Sequence, residues 1–171
     1  MKKELRVVLN DFRSVYNTAS CFRTADGAGV DKIYLTGTTA EPVDRFGRER
    51  KDFVKVSLGA EKSVEYKKVK DIFSLITDLK KEGWLVVAVE QDKQSEDLFE
   101  FVEKYKEELD SRLRGNDKGG IVLIFGNEVE GLSKEILKEC DKILEIPMRG
   151  EKESLNVATA FGVAVYVIKE I

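Results

Sequence analysis

The chain has 171 residues, 42% hydrophobic and 36% charged, with a formal net charge of −3 and no histidine. This size and balance fit one soluble globular domain, and no apolar run approaches the roughly 20 residues that a membrane-spanning helix needs. Without histidine, His-based triads, histidine-ligated zinc and histidine general bases are excluded. Any catalysis has to run on Arg, Lys, Glu, Asp, Ser, Tyr or backbone dipoles. A slightly acidic chain also needs a local basic patch to hold a polyanion. Residues 1–6 lack the long apolar segment of a signal peptide, so a cytoplasmic location is expected. There, Cys21 and Cys140 are expected to stay reduced rather than bridged.

In chain order, residues 5–9 read as a buried strand, followed by a polar turn over 10–14. A helix is expected over 15–25, ended by Gly27 and Gly29, and a second strand over 30–35. Residues 36–52 form a long loop with Pro42 and Gly47, carrying Arg45, Arg48, Arg50 and Lys51, with Lys55 just beyond. Loops longer than about 12 residues are usually functional or mobile. Glu41, Asp44, Glu49 and Asp52 nearly cancel the charge of this one, so substrate contact and a solvated loop both stay open. A short helical turn over 55–60 and an extended piece over 64–66 follow. Apolar residues at helical spacing then mark a helix over 69–82, stopped by Gly83.

Residues 84–89 form a third buried strand, and 98–109 a charged amphipathic helix. The polar stretch 110–120, with Arg112, Arg114 and Lys118, reads as a solvated connector in preference to a polyanion contact. The apolar run 121–125 is strand-like and leads into Gly126-Asn-Glu-Val-Glu-Gly131, a turn rich in backbone donors. A short helix to residue 137 and a strand over 142–146 come next. Ile146-Pro-Met-Arg-Gly-Glu-Lys-Glu-Ser-Leu-Asn156 then opens the last helix, 157–168, with Ser154 or Asn156 as its cap. That helix is apolar on nearly every side and is expected to be buried.

Strands that are apolar runs, alternating with helices, predict an α/β fold with a mostly parallel sheet covered on both faces. In such sheets ligands bind at the carboxyl ends of the strands. The loops 126–131 and 146–156 both stand there and are the candidate ligand loops.

Three segments also carry a family resemblance: 17–25 (NTASCFRTA), 125–132 (FGNEVEGL) and 146–156, Ile-Pro-Met through Ser-Leu-Asn. Together, and in this order, they resemble the three motifs of the SpoU/TrmH-type RNA 2′-O-ribose methyltransferases of the SPOUT superfamily. The resemblance covers nearly the whole chain from Leu5, and residues 55–60 resemble a further segment common in that family. It implies a C-terminal deep trefoil knot, which no sequence pattern would suggest. It further implies a homodimer, S-adenosylmethionine as methyl donor, a ribose 2′-hydroxyl of tRNA or rRNA as acceptor, and neither a metal nor a membrane.

By resemblance, Val89, Gly126, Ile146, Ser154 and Leu155 line the cofactor pocket; on the residues alone, Ile146 and Leu155 could equally be core. Arg23 matches the motif arginine that readies the 2′-hydroxyl. Because arginine is normally protonated, it is expected to orient the phosphate and hydroxyl and to stabilise developing alkoxide. Asn17, Glu128, Ser154 and Asn156 match polar site positions, with Glu128 holding either Arg23 or the loop. Arg13, Arg23, Arg45, Arg48 and Lys55 are the expected RNA contacts. Two departures stand out: Ala19 occupies a position where the family usually has glycine, and residues 95–120 form a longer segment than usual. A single SPOUT domain over 1–171 is expected, with no separate RNA-binding domain. The rival readings are a non-catalytic RNA-binding module that kept the fold, and a dinucleotide-binding oxidoreductase. The latter is disfavoured because no G-x-G-x-x-G follows the first strand.

Overall fold

The computed structural model describes residues 4–104 and 119–170. In chain order the elements are β1 (Leu5–Asn10), α1 (Val15–Ala28), β2 (Lys32–Thr36), α2 (Lys51–Ser57), α3 (Ala60–Ser63), β3 (Glu65–Val69), α4 (Ile72–Lys81), β4 (Leu85–Val89) and β5 (Glu96–Asp97). A helix described over 98–104, here α5, follows. The chain then forms β6 (Ile121–Phe125), α6 (Lys134–Glu139), β7 (Lys142–Glu145) and α7 (Val157–Lys169). The seven strands form one sheet in the order β3-β2-β1-β6-β4-β7-β5, and every pairing is parallel.

The reason for the apolar runs is visible in the core. Val7, Leu9, Leu123 and Phe125 point to one face of the sheet, where they pack with residues of α1, α2, α5 and α7. Their neighbours Val8, Val122 and Ile124 point to the other face, under α4 and α6. Side chains alternate across a strand, so a strand buried on both faces must be apolar at every position. On the first face Phe22 of α1 meets Phe53 and Tyr66 edge-on, with ring centroids 5.2 and 5.6 Å apart.

Helix ends follow their caps. Ser14 accepts from the Asn17 N–H at the start of α1, and Gly29, at φ 69°, ends that helix in the left-handed conformation. Gly27 is an ordinary helical residue, so α1 runs three residues further than expected. Ala19 is buried within a regular helix. Asn156, not Ser154, caps α7. Asp31 accepts from both the Leu5 backbone N–H (2.8 Å) and the Lys169 ammonium (3.2 Å), fastening the end of α7 beside the start of β1.

Several expected elements shift. The helix read at 55–60 begins already at Lys51, and the loop before it is correspondingly shorter. The extended piece at 64–66 is a full edge strand paired with β2, and it takes Val69 from the helix expected to start there. The helix expected over 98–109 is described as far as 104, and the connector over 110–120 lies outside the described residues except for 119 and 120. The largest correction concerns α7. Phe161, Ala164, Val165 and Ile168 are buried, but Val157, Ala158, Val163 and Val167 are only partly covered and Tyr166 is 53% exposed. A helix lying on one face of a sheet is covered on one side, and among the described residues its outer apolar side has no partner.

Both cysteines are free, Cys21 fully buried and Cys140 half-buried. Burial raises both thiols, Cys140 to about 12, so neither is a ready nucleophile. Phe22→Ala is expected to lower the stability of the fold by about 3–5 kcal/mol, measured as the shift in the urea unfolding midpoint.

Candidate active site

The site is built at the carboxyl edge of the sheet, where β6 stands between β1 and β4 and the chain order reverses. Crevices form at such switch points. The loop after β6 and the loop after β7 converge there, and with residues following β4 they enclose a cavity of about 360 Å³. Val89, Gly126, Ile146, Ser154 and Leu155 all line it, as do Glu128 and Asn156. The two candidate ligand loops therefore share one pocket.

The first loop is closed on itself. The Asn127 side chain accepts from the backbone N–H groups of Val129 (2.9 Å) and Glu130 (2.8 Å), and the Gly131 N–H returns to the Asn127 carbonyl (3.1 Å). Gly126 is required by close approach: a Cβ there would stand 2.3 Å from the Gly131 carbonyl carbon. Gly131, at φ +67°, faces the Glu90 carboxylate, which accepts from the Leu132 N–H at 2.8 Å. Across the pocket the Gln91 amide donates to the Glu153 carbonyl (2.7 Å) and ties the second loop to the end of β4.

Glu128 connects the pocket to α1. Its carboxylate accepts from the Arg13 N–H (3.0 Å), the Ser14 N–H (3.1 Å) and the Asn17 side-chain amide (2.9 Å). Within this chain these bonds tie the 126–131 loop to the start of α1, and none reaches Arg23. The Asn17 carbonyl oxygen in turn accepts from the Asn156 amide at 3.3 Å, and the Asn156 oxygen caps α7 through the N–H groups of Ala158 (2.9 Å) and Thr159 (3.4 Å). Burial pushes the Glu128 carboxyl up, but the Asn17 amide and the backbone donors outweigh it and leave the group below its ordinary value. It is therefore an ionised anchor at neutral pH and a weak base.

None of the expected cationic residues is in the lining of this pocket. Arg23 is exposed on α1, six residues after Asn17, a rise of about 9 Å. It has no hydrogen bond or ion pair with a described residue. Tyr16, Arg23 and Gly27 share the exposed stripe of α1, and a Cβ at Gly27 would stand 3.1 Å from the Tyr166 hydroxyl. Arg23 thus belongs to the same outer surface as the uncovered side of α7. Arg13 pairs with Glu130 at 3.3 Å, next to the pocket mouth. Arg45 and Arg48 stand in the loop after β2, and Lys55 is exposed on α2. Asn127 and Met148 also line the pocket and fall within the quoted motifs without having been singled out, whereas Glu90 and Gln91 lie outside every motif. Glu90 and Gln91 follow an apolar strand directly, and that position was the only signal for them. Among the described residues no group of three or more acidic or cysteine side chains is arranged to hold a metal, and no helix is long and apolar enough to cross a membrane.

Comparison with known proteins agrees with this geometry. The family model described as the SpoU rRNA Methylase family matches residues 4–166. A 23S rRNA (guanosine-2′-O-)-methyltransferase, RlmB, of Ralstonia nicotianae is 30% identical over 162 residues, which are 95% of this chain and 57% of that protein. The chain therefore spans little more than half the length of that relative. A tRNA (guanosine(18)-2′-O)-methyltransferase of Aquifex aeolicus is 31% identical, over 96% of this chain and 68% of its own length. Among solved structures, an AdoMet-bound rRNA methyltransferase from Sinorhizobium meliloti superposes with a TM-score of 0.80 at 25% identity, over 99% of this chain and 57% of that one.

Two measurements probe the site. Gly126→Ala forces the 126–131 loop apart and is expected to lower stability by about 1–3 kcal/mol, read by chemical denaturation. Glu128→Gln removes a carboxylate whose folded pKa is depressed. Its contribution is fully present above an unfolded value of about 4.3 and fades as pH falls through the lower folded value. The stability gap between wild type and Glu128→Gln should therefore be seen at pH 7 and close under more acidic conditions.

Proposed function

The chain belongs to the SpoU rRNA methylase family, and from that membership we propose that it transfers the methyl group of S-adenosylmethionine to a ribose 2′-hydroxyl of tRNA or rRNA. The observation that carries the proposal is the pocket made jointly by the loops 126–131 and 146–156. Among the described residues its lining holds three carboxylates, Glu90, Glu128 and Glu130, and no lysine or arginine. Such a lining suits a cationic ligand and disfavours the pyrophosphate of a dinucleotide, which calls for cationic side chains or a bare helix N-terminus. Here the first N–H groups of α7 are already taken by Asn156. The relatives named as 2′-O-methyltransferases of rRNA and tRNA support the same reading, as does the AdoMet-bound neighbour.

When bound, S-adenosylmethionine supplies a methyl group made electrophilic by its sulfonium charge. The chain's own part is shape and placement. Gly126, Ile146 and Leu155 offer main-chain groups and apolar contact, and Val89 closes the floor from the end of β4. Ser154 and Asn156 add polar groups at the rim, beside the Asn17–Glu128 anchor. Arg23 binds the phosphate next to the target ribose and stabilises charge developing on the 2′-oxygen.

For Arg23 to act there, its exposed surface has to meet a pocket. We propose a homodimer that covers the outer sides of α1 and α7. This assembly accounts for the uncovered apolar side of α7 and brings Arg23 of one protomer toward the pocket of its partner. The C-terminal trefoil threading implied by the family is part of the same proposal. RNA is held by phosphate contacts from Arg13, Arg45, Arg48 and Lys55, with affinity that falls as salt rises. The 2′-hydroxyl requirement excludes DNA as acceptor.

Calorimetry should show S-adenosylmethionine binding to both the wild type and Arg23→Ala, while turnover on total RNA falls by about 100-fold or more in the variant, the scale of losing a preorganised charge stabiliser. Near-normal turnover by Arg23→Ala would overturn its role. A purified chain indifferent to S-adenosylmethionine would overturn the function.

A further inference from the structure

The loop after β2 is built in a way that phosphate contact alone does not explain. Residues 42–50 form a small hairpin. Val43 and Glu49 make an antiparallel bridge, the Asp44 N–H donates to the Arg48 carbonyl (2.8 Å), and the Arg50 N–H donates to the Pro42 carbonyl (2.9 Å). The Asp44 carboxylate accepts from the backbone N–H groups of Phe46 (2.8 Å) and Arg48 (3.0 Å) and from the Arg48 guanidinium (2.9 Å). Gly47, at φ 76°, makes the turn possible. This fixed hairpin holds Phe46 out in solvent, 66% exposed. The Arg45 and Arg48 guanidinium carbons lie 4.7 and 5.0 Å from the centre of its ring.

A rigid turn that spends its hydrogen bonds on exposing a phenylalanine beside two guanidinium groups matches what single-stranded nucleic acid needs: an aromatic ring for a base and cations for its phosphates. An open hollow of about 570 Å³ borders the ring on the side of Thr39 and Ala40, leaving room beside it. The hairpin is also fixed relative to the pocket. Thr39 Oγ1 accepts from the Phe12 N–H (3.0 Å), Asp11 accepts from the Thr38 N–H (2.9 Å), and Glu128 accepts from the Ser14 N–H in the next loop. The Lys68 ammonium donates to the carbonyls of Gly37 (2.7 Å) and Thr39 (2.5 Å) at the hairpin base. At their roots β2 and β6 are two strand spacings apart, roughly 10 Å. The base of the loop that carries the ring therefore stands on the same edge of the sheet as the pocket.

We propose that Phe46, beside Arg45 and Arg48, is a stacking platform for an unpaired nucleobase of the RNA flanking the target ribose. The inference rests on the RNA reading given above. It makes Phe46 a determinant of substrate affinity, and it confines the acceptor to a loop or end in which a base can leave its helix.

The test uses the whole chain as wild type, Phe46→Leu and Phe46→Tyr. The probe is a single-stranded oligoribonucleotide bearing 2-aminopurine, whose fluorescence is quenched on stacking, and total RNA serves for kinetics. Wild type and Phe46→Tyr should quench the probe and Phe46→Leu should not. In Phe46→Leu the KM for RNA should rise about ten- to hundred-fold, with kcat and S-adenosylmethionine affinity kept. If the wild type methylates RNA and Phe46→Leu equals it in KM and quenching, the platform is wrong and the methyltransferase reading stands. If the wild type does not methylate RNA, that reading fails, and the quenching comparison alone still decides the platform. A Phe46→Leu variant that quenches normally but loses self-association in light scattering assigns the hairpin to a protein contact and overturns the proposal.

Discussion

The site depends on one side-chain amide. Asn17 donates to Glu128 and accepts from Asn156, so its two polar ends are both committed and its orientation is fixed. Through it, the loop after β6 is joined to the start of α1 and the start of α1 to the start of α7. Three segments that are distant in sequence are thereby held at one corner of the carboxyl edge. Asn17 is 8% exposed, and a buried polar group that loses its partners costs about 1–3 kcal/mol. Moving Glu128 or Asn156 away from α1 has to break this chain of contacts. The corner of the pocket around Asn17 is accordingly set by contacts of the chain itself.

That arrangement separates holding from chemistry. Glu128 resembles a catalytic carboxylate by position, yet its oxygens are occupied by backbone and amide donors and its pKa is drawn down. A group so satisfied keeps loops in place and has little appetite for a proton. Arg23, by contrast, is exposed and has no hydrogen bond or ion pair to a described residue. The anchored residues form the cavity, and the unanchored cation lies on the surface where α7 shows its uncovered apolar side.

Legibility in the sequence followed burial. Residues 121–125 are apolar at every position because both faces of β6 are covered, and the loop behind them could be read from the strand it ends. β3 was legible only as a short extended piece over 64–66 because Glu65-Tyr-Lys-Lys-Val69 is a polar edge strand, whose charged side chains mask the extended backbone. The start of α2 escaped because its cap residue, Arg50, makes no side-chain cap bond. The burial of α7 was overstated, since apolar composition reveals that a surface needs covering and not which chain covers it. The Asn17–Glu128 bond joins residues 111 positions apart, and periodicity carries no information at that range. Motif resemblance grouped those residues, and only the coordinates gave each its hydrogen-bond partner.

The clamp at Asp31, which joins the Leu5 backbone to the Lys169 ammonium, has a practical consequence. It gathers both ends of the described chain at the amino edge of the sheet, while the cavity and the 42–50 hairpin occupy the opposite edge. A fluorophore attached near Leu5 or Lys169 would therefore stand on the far side of the sheet from the cavity and report on the fold without crowding the two loops.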